Sequence, residues 1–236
     1  MLLYIIRHGE PIYDPDTLTP LGKEQAEALG KRLSVHGFDK IYSSPNGRAR
    51  ETAEPTCRAL GVKAEILPWA SEDLLWRDLK APDIGWAFNG DPREIKTPEL
   101  TAHDSRWYES AAFSEAKAPK EAFDRVKDGI DGLLLRHGYE RDGLFYNIIK
   151  PSSERVALFC HQGVGLTALS HVLGIPPCLF WTSFDVTHTG VSVVHFEDRG
   201  AGYVAPKCLA LSDTAHIYGS SLPYRYCGHN EEEVLL

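Results

Sequence analysis

The feature of this sequence that most constrains its fold is an unbroken apolar run, Leu2 to Ile6, that ends abruptly in Arg7, His8 and Gly9. Such a run without polar alternation indicates a strand buried on both faces, as in the parallel sheets of α/β proteins. In open α/β sheets, ligands bind at the carboxyl ends of the strands. Gly9 permits a sharp turn close to a ligand, and the planar guanidinium of Arg7 suits a phosphate group. We therefore expect a binding site where this strand ends.

A second segment repeats this arrangement late in the chain. Residues 154–160 form another apolar run, which is followed by His161 and by a helix predicted over residues 166–173. Two histidines that end strands at the same sheet edge can converge on one ligand. We therefore predict that His8 and His161 belong to one site, with His188 as a further candidate pocket residue.

Two predicted helices connect the early strands. Thr19 and Pro20 are typical of a helix N-cap and first helical position. A second strand is predicted over residues 38–43, followed by a turn and a helix with Arg48 in its first turn. Backbone N–H groups, the positive helix end and a guanidinium then lie together, which predicts a phosphate site at the start of this helix.

The middle of the chain is less regular. A third strand is predicted over residues 62–67, but residues 77–118 contain many turn formers and no clear period, and four of the five tryptophans fall between residues 69 and 107. Aromatic residues in such a segment usually form a small satellite core, yet the segment is also the natural candidate for a lid that sets substrate specificity. A helix follows over residues 119–137. We treat residues 77–150 as an insertion or lid within one domain, residues 1–236.

Composition limits the partners. The chain has 236 residues, 43% hydrophobic and 25% charged, with a net charge of -8, which disfavours nucleic acid and anionic membrane surfaces. No apolar run approaches the ~20 residues of a membrane span, and no cleavable signal precedes the first strand, so we expect a cytoplasmic protein.

The cysteines indicate neither a disulfide framework nor a zinc site. Five cysteines, without a Cys-x-x-Cys pair, are read as reduced and mostly buried thiols, including Cys227 near the end of the chain. Cys160 precedes His161, but neighbouring residues on a strand point to opposite faces, so its thiol should face the core. The tail at residues 231–236 has no catalytic interpretation.

The segment Arg7-His8-Gly9-Glu10 resembles the signature of the histidine phosphatase superfamily, the phosphoglycerate mutase-like fold. Three further segments resemble that family in the same order: residues 18–26, residues 43–49 and the segment beginning at His161. The resemblance implies a three-layer αβα sandwich with a mostly parallel central sheet and an insertion after the third strand. This sequence departs from the family in Gln162, which separates His161 from the next glycine, and in an Asn-Gly pair that replaces two apolar residues before Arg48.

The resemblance also implies roles for particular residues. His8 is the expected nucleophile, and Arg7, Arg48 and a protonated His161 are expected to clamp the phosphoryl group. In this family, a carboxylic acid after the third strand protonates the leaving oxygen. Both Glu72 and Asp73 qualify by position, and we prefer Glu72 because its longer side chain reaches further over a pocket rim. The alternative is that both residues only cap a helix. The expected substrate-binding residues are Arg7, Arg48, His161, Gln162, Gly163, Glu10 and Tyr13.

These roles predict a phosphatase that hydrolyses a small phosphorylated organic substrate through a phosphohistidine on His8, with no metal and no cofactor. Phosphoglycerate mutase-type phosphoryl transfer and a non-catalytic phospholigand-binding module are the alternatives. Neither the substrate nor the oligomeric state, for which a homodimer stays open, follows from the sequence.

Overall fold

The computed structural model, which describes residues 1–220 and Leu222, is organised around a six-stranded sheet. Its strands are β1 (Leu2–Arg7), β2 (Lys40–Ser43), β3 (Glu65–Ile66), β4 (Arg155–Cys160), β5 (Val191–His195) and β6 (Lys207–Asp213). The order across the sheet is β6-β5-β1-β4-β2-β3. Strands β1, β4, β2 and β3 run parallel to one another, and β5 is antiparallel to both β1 and β6. Cys227 and residues 231–236 lie outside the described residues.

Helices cover both faces of this sheet. They are α1 (Pro20–Leu33), α2 (Gly47–Leu60), α3 (Glu72–Leu79), α4 (Pro92–Ile95), α5 (Pro119–Arg136), α6 (Gln162–Leu173), α7 (Pro177–Trp181) and α8 (Ala215–Gly219). Helices α1 and α2 pack on one face, and α3, α5, α6 and α7 contribute to the larger core on the other. This arrangement confirms the predicted three-layer fold. None of the helices in the described part of the chain is both long and apolar enough to span a membrane.

The two central strands explain why the sequence shows unbroken apolar runs. In β4, Leu158 and Cys160 belong to the larger core, whereas Ala157 and Phe159 belong to the core under α1 and α2. Both faces are therefore buried, so no polar alternation appears. The Cys160 thiol faces the larger core as predicted, and burial raises its pKa, which makes it a poor nucleophile.

The segment between α3 and α5 is built of short elements. Besides α4, it contains the paired strands Lys80–Ala81 and Gly85–Trp86 and the 3₁₀ turns Ala87–Asn89, Trp107–Glu109 and Ala111–Phe113. Its aromatic residues do not form a separate satellite core: Trp86, Phe88, Trp107 and Phe113 belong to the same cluster as the sheet residue Leu3.

The remaining short strands lie outside the main sheet. Pro11–Ile12 pairs with Thr17–Leu18 in the loop after β1, and Phe145–Ile148 lies between Tyr139–Asp142 and Tyr203–Val204 in a three-stranded sheet. A further 3₁₀ turn, Pro68–Ala70, precedes α3. The third main strand is shorter than its predicted range because only two of its residues pair with β2 at this sheet edge.

The start of α1 is packed tightly against the segment that follows β1. The Thr19 hydroxyl accepts a hydrogen bond from the Gly22 N–H at 2.9 Å, as expected of an N-cap. A Cβ atom at Gly22 would lie 2.2 Å from the Glu10 carbonyl oxygen, and one at Gly9 would lie 2.6 Å from that of Gly22. These glycines therefore allow the close approach that positions the loop after His8.

We expect Gly22→Ala to lower the free energy of unfolding by about 1–3 kcal/mol, because backbone atoms must move to admit the methyl group. The matched control is Gly132→Ala, in the exposed face of α5, where a Cβ atom would meet nothing within 4 Å. This control should raise the free energy of unfolding by about 0.5–1 kcal/mol through the higher helix propensity of alanine. Urea unfolding of both variants measures whether the two changes in the free energy of unfolding have opposite signs. Equal changes would contradict the close packing of Gly22 against Glu10.

Candidate active site

A cavity of ≈ 410 Å³ lies at the carboxyl ends of β1 and β4. In the parallel register of these strands Arg7 pairs with Cys160, so His8 and His161 are the first residues beyond the two strands. Their ring centroids are 5.1 Å apart. The cavity is lined by Arg7, His8, Tyr13, Arg48, Glu72, Asp73, Trp76, Trp86 and Gln162.

The imidazole of His8 is almost completely buried and is held in one tautomer. Its Nδ1 atom lies 2.7 Å from the carbonyl oxygen of Gly9. Because a carbonyl oxygen only accepts hydrogen bonds, Nδ1 carries the proton and Nε2 keeps its lone pair. Burial, with smaller contributions from His161 and Arg7, holds the pKa of His8 well below its usual value. The ring is therefore neutral at neutral pH.

Two guanidinium groups line the same cavity. Arg7 donates from Nη1 to the carbonyl oxygen of Val186 at 2.5 Å, and Arg48 donates from Nη1 to Asp16 at 2.7 Å and from Nη2 to Asp73 at 3.3 Å. Both arginines are at least 94% buried. Among the described residues, the buried Nε atoms of Arg7 and Arg48 have no hydrogen-bond partner. Buried N–H groups without a partner at a cavity are suited to an anionic ligand.

His161 is fully buried and is oriented by Ser44. The Ser44 hydroxyl donates to Asn46 Oδ1 at 3.1 Å and lies 2.7 Å from His161 Nε2, so this hydroxyl accepts the Nε2 proton. The Nδ1 atom of His161 has no partner in the described part of the chain. Burial, then Arg48 and Arg7, lower the pKa of His161 well below its usual value. An anion placed against Nδ1 would oppose that shift and favour the protonated ring.

The first turn of α2 differs from the sequence-based expectation. The predicted phosphate site at this helix N-terminus is filled by the carboxylate of Asp16, which accepts from the backbone N–H groups of Gly47 at 2.7 Å and Arg48 at 3.3 Å. Burial opposes ionisation, but the hydrogen bond and charge of Arg48 hold the pKa of Asp16 below its usual value. Asp16 therefore caps α2 and also fixes one edge of the Arg48 guanidinium.

Glu72 binds the start of α6 in the same way. Helix α6 begins at Gln162, earlier than predicted, and its backbone N–H groups at Gly163 and Val164 donate to the Glu72 carboxylate at 2.8 and 3.0 Å. The amide of Gly163 is thus engaged by Glu72. Burial raises the pKa of Glu72, although these two hydrogen bonds oppose the shift. A carboxyl with a raised pKa at a cavity is suited to giving up a proton.

Asp73 occupies a different environment. Its side chain is 67% exposed and pairs with Arg48, and its Oδ2 accepts from the Asn46 amide at 2.7 Å. Asn46 also accepts from the backbone N–H of Glu72 at 3.2 Å. Asn46 therefore ties the loop before α2 to the start of α3, which carries both carboxylates.

Of the other predicted binding residues, some line the cavity and one does not. Tyr13 and Gln162 line the cavity, and the Gln162 amide donates to Asp185 at 2.5 Å. Glu10 is not part of the cavity lining, and its carboxylate accepts from the Thr19 hydroxyl at 2.9 Å. Glu10 thus stabilises the loop after β1 in this structure.

Sequence reasoning did not assign Asp16, Ser44 or Asn46 to the site. Ser44 and Asn46 lie within the segment that precedes Arg48, so their position beside the phosphate-binding segment was an available signal. Asp16 lies in a loop rich in proline and aspartate, and no spacing distinguishes it from Asp14. His188, the further candidate, lies 5.6 Å from His8 between ring centroids, and burial, then Arg7, lower its pKa to about 2.

No cluster suited to a metal ion is found among the described residues: no three histidine, cysteine, aspartate or glutamate side chains are arranged to hold one. The charged groups of the cavity are two guanidiniums and two carboxylates.

Comparison with protein families and curated sequences points to one group. The model of the histidine phosphatase superfamily (branch 1) matches residues 3–208. The chain is 25% identical over 221 residues to 2-carboxy-D-arabinitol-1-phosphatase of Triticum aestivum, covering 87% of this chain and 39% of that protein. It is 24% identical over 239 residues to a probable phosphoglycerate mutase of Citrobacter koseri, covering 93% of this chain and 96% of that one. The chain thus spans well under half of the wheat protein and nearly all of the bacterial one.

Solved structures show a similar fold. The alpha-ribazole phosphatase from Shigella flexneri has a TM-score of 0.60 at 20% identity, with 91% of this chain and 97% of that one covered. Phosphoserine phosphatase from Entamoeba histolytica, in complex with 3-phosphoglyceric acid, has a TM-score of 0.60 at 19% identity, with 92% and 98% covered. At such identities the likeness extends to the fold alone.

The buried histidines predict acid-sensitive stability. The unfolded chain takes up protons near pH 6.5 at His8, His161 and His188, whereas the folded protein does not, so the free energy of unfolding falls as the pH drops below that value. Each group adds a slope of up to about 1.4 kcal/mol per pH unit. We expect His188→Asn to flatten the slope between pH 6 and 5 by about one such increment.

Urea unfolding at several pH values measures this slope. His103→Asn, at an exposed position, is the control for replacing a histidine. An unchanged slope in His188→Asn would contradict a neutral, buried imidazole at this position.

Proposed function

Because the chain belongs to the histidine phosphatase superfamily, we propose that it hydrolyses a small phosphomonoester through a phosphohistidine on His8. Membership supports a phosphatase or a mutase, and the observation that carries the finer proposal is the hydrogen bond from His8 Nδ1 to the Gly9 carbonyl oxygen. It leaves Nε2 unprotonated in a cavity that Arg7 and Arg48 also line, and an unprotonated nitrogen is what nucleophilic attack on phosphorus requires.

In the first step, Nε2 of His8 attacks phosphorus while the bond from phosphorus to the ester oxygen breaks. The Nε atoms of Arg7 and Arg48, which have no partner among the described residues, are the groups that we assign to the equatorial phosphoryl oxygens. Guanidinium contacts of this kind neutralise charge and orient the phosphorus for in-line displacement. The low pKa of His8 keeps the nucleophile neutral before the substrate binds.

His161 completes the clamp. The phosphate dianion would raise the pKa of this ring, so that a protonated His161 donates from Nδ1 to phosphate and from Nε2 to Ser44. Ser44 therefore acts as a positioning residue, because it orients the ring without contacting the phosphoryl group in this proposal.

Glu72 is the proposed acid and base. Burial raises its pKa, and a bound phosphate dianion raises it further, so the carboxyl carries a proton that it gives to the leaving oxygen. The resulting carboxylate then accepts a proton from the water that attacks the phosphohistidine, which releases inorganic phosphate and regenerates His8. The exposed carboxylate of Asp73 lacks this environment and instead holds Arg48.

The charges of the cavity favour hydrolysis over the mutase alternative. Arg7 and Arg48 are the cations of its lining, and both serve the phosphoryl group. The carboxylate of a phosphoglycerate would meet the Asp73 carboxylate there, and the described residues of the lining supply no third cation, which is unfavourable. The named relatives include phosphatases as well as a probable mutase and do not distinguish the two reactions, whereas the charges of this cavity favour hydrolysis.

Removal of the nucleophile is the first test. We expect the wild-type protein to release phosphate from small phosphomonoesters in the presence of a chelator, and His8→Ala to reduce kcat/KM on the order of 10³-fold or more. His103→Ala, at an exposed position, should retain the wild-type rate. Interconversion of phosphoglycerate isomers without phosphate release would favour the mutase. Thermal stabilisation by phosphorylated ligands without any turnover would favour a binding module.

Substrates with different leaving groups test whether Glu72 is the general acid. We expect Glu72→Gln to lower kcat/KM by about 10²–10⁴-fold for an alkyl phosphate, whose alkoxide needs a proton, but by less than about tenfold for 4-nitrophenyl phosphate. Asp73→Asn should not show this dependence on the leaving group. Steady-state rates with both substrates measure it. Equal losses on the two substrates in Glu72→Gln, or the dependence appearing in Asp73→Asn, would contradict the assignment.

A further inference from the structure

Two tryptophans form one wall of the active-site cavity. The rings of Trp76 and Trp86 meet edge to face, with centroids 4.6 Å apart and an interplanar angle of 88°. Trp86 is 9% exposed, whereas Trp76 is 38% exposed. Both residues line the cavity, so Trp86 forms the buried part of this wall and Trp76 the part nearer to solvent.

The Trp86 ring adjoins the group proposed to protonate the leaving oxygen. A Cβ atom at Gly163 would lie 2.8 Å from Trp86 Cη2 and 3.1 Å from Glu72 Oε1. The indole and the carboxyl thus border the same backbone position at the start of α6. A group attached to the ester oxygen would therefore meet the indole within the first few atoms beyond the phosphoryl group.

The wall is rigid because the core supports it. Trp86 stacks on Phe88 at 5.3 Å with an angle of 10°, and Phe88 stacks on Trp181 at 5.1 Å with an angle of 25°. A Cβ atom at Gly85, where φ is +75°, would lie 3.4 Å from Trp76 Cη2, so the exposed tryptophan also rests on backbone. Aromatic surfaces held in this way bind flat groups at little cost in conformational entropy.

Tyr13 adds a third ring to the cavity lining, and the described residues of the lining supply no cation besides Arg7 and Arg48. Tyr13 is 68% exposed, and its ring lies 5.3 Å from the Arg48 guanidinium carbon. The Asp73 carboxylate disfavours a negatively charged leaving group, and the Gln162 amide is bonded to Asp185. The cavity volume of ≈ 410 Å³ suits a small organic ligand.

We propose that the leaving group is a flat, uncharged ring joined directly to the ester oxygen, and that Trp76 is the residue that selects it. The substrate is then an aryl phosphate; water and the ester give a phenol, which leaves with the proton of Glu72, and inorganic phosphate. This inference rests on the proposed phosphatase activity, but ligand selection by the aromatic wall is measurable without turnover.

Phosphonates separate ring selection from leaving-group reactivity because their carbon–phosphorus bond is not hydrolysed by this mechanism. Calorimetry with benzylphosphonate, propylphosphonate and 3-phosphonopropanoate should show the benzyl compound binding at least about tenfold more tightly than the propyl compound. Equal binding of these two compounds, or tighter binding of the carboxylate-bearing one, would overturn the proposal.

Variants of Trp76 test whether this residue selects the aromatic ligand. Trp76→Ala should remove the preference for benzylphosphonate with little change in the binding of propylphosphonate, and Trp76→Phe should retain most of it. Tyr218→Ala, at an aromatic side chain 89% exposed and outside the cavity lining, is the matched control. A preference that survives Trp76→Ala would overturn the role of Trp76. If that variant does not fold, as judged by thermal unfolding, the wild-type ratio and Trp76→Phe decide the matter.

Hydrolysis of phenyl phosphate by wild type and His8→Ala tests the activity separately. A benzyl preference without phosphate release would support the ligand class and contradict the phosphatase. Phosphate release that depends on His8, combined with equal binding of the benzyl and propyl compounds, would support the phosphatase and overturn the aryl specificity.

Discussion

The parallel pairing of β1 with β4 is the constraint on which the site depends. Arg7 pairs with Cys160, so the chain leaves both strands at the same level of the sheet and delivers two imidazoles whose centroids are 5.1 Å apart. A shift of one residue would turn one of them toward the core. The two cores on either side of the sheet stabilise that register, because successive apolar residues of each strand are buried alternately in one core and the other.

The site also shows how buried charge is balanced. Two helix N-termini at the cavity are bound by the protein's own carboxylates, Asp16 at α2 and Glu72 at α6. Asp16 also pairs with Arg48, so this arginine is not left as an isolated buried charge. The donors that remain for an anion in the described part of the cavity are side-chain groups, among them the Nε atoms of Arg7 and Arg48.

The sequence predicted what depends on local pattern, and it missed what depends on loops meeting in space. Periodicity and capping signals located β1, β4 and the start of α1, and strand-end placement brought His8 and His161 together. Spacing did not reveal that Asp16 would reach the N-terminus of α2, because that contact depends on how the loop after β1 crosses the site. Glu72 and Asp73 differ in burial, and tertiary packing decides which of two neighbouring residues at the start of a helix is buried.

The aromatic segment between α3 and α5 connects the cavity lining to the main core through packing. Its rings join the main core, so Trp86 cannot shift without disturbing Phe88 and the residues behind it. The same indole lies against Gly163, whose N–H holds Glu72. Any side chain at that glycine would push on both the wall and the carboxyl. The absence of a Cβ at Gly163 is therefore what allows the Trp86 ring and the Glu72 carboxyl to occupy adjoining positions in the cavity lining.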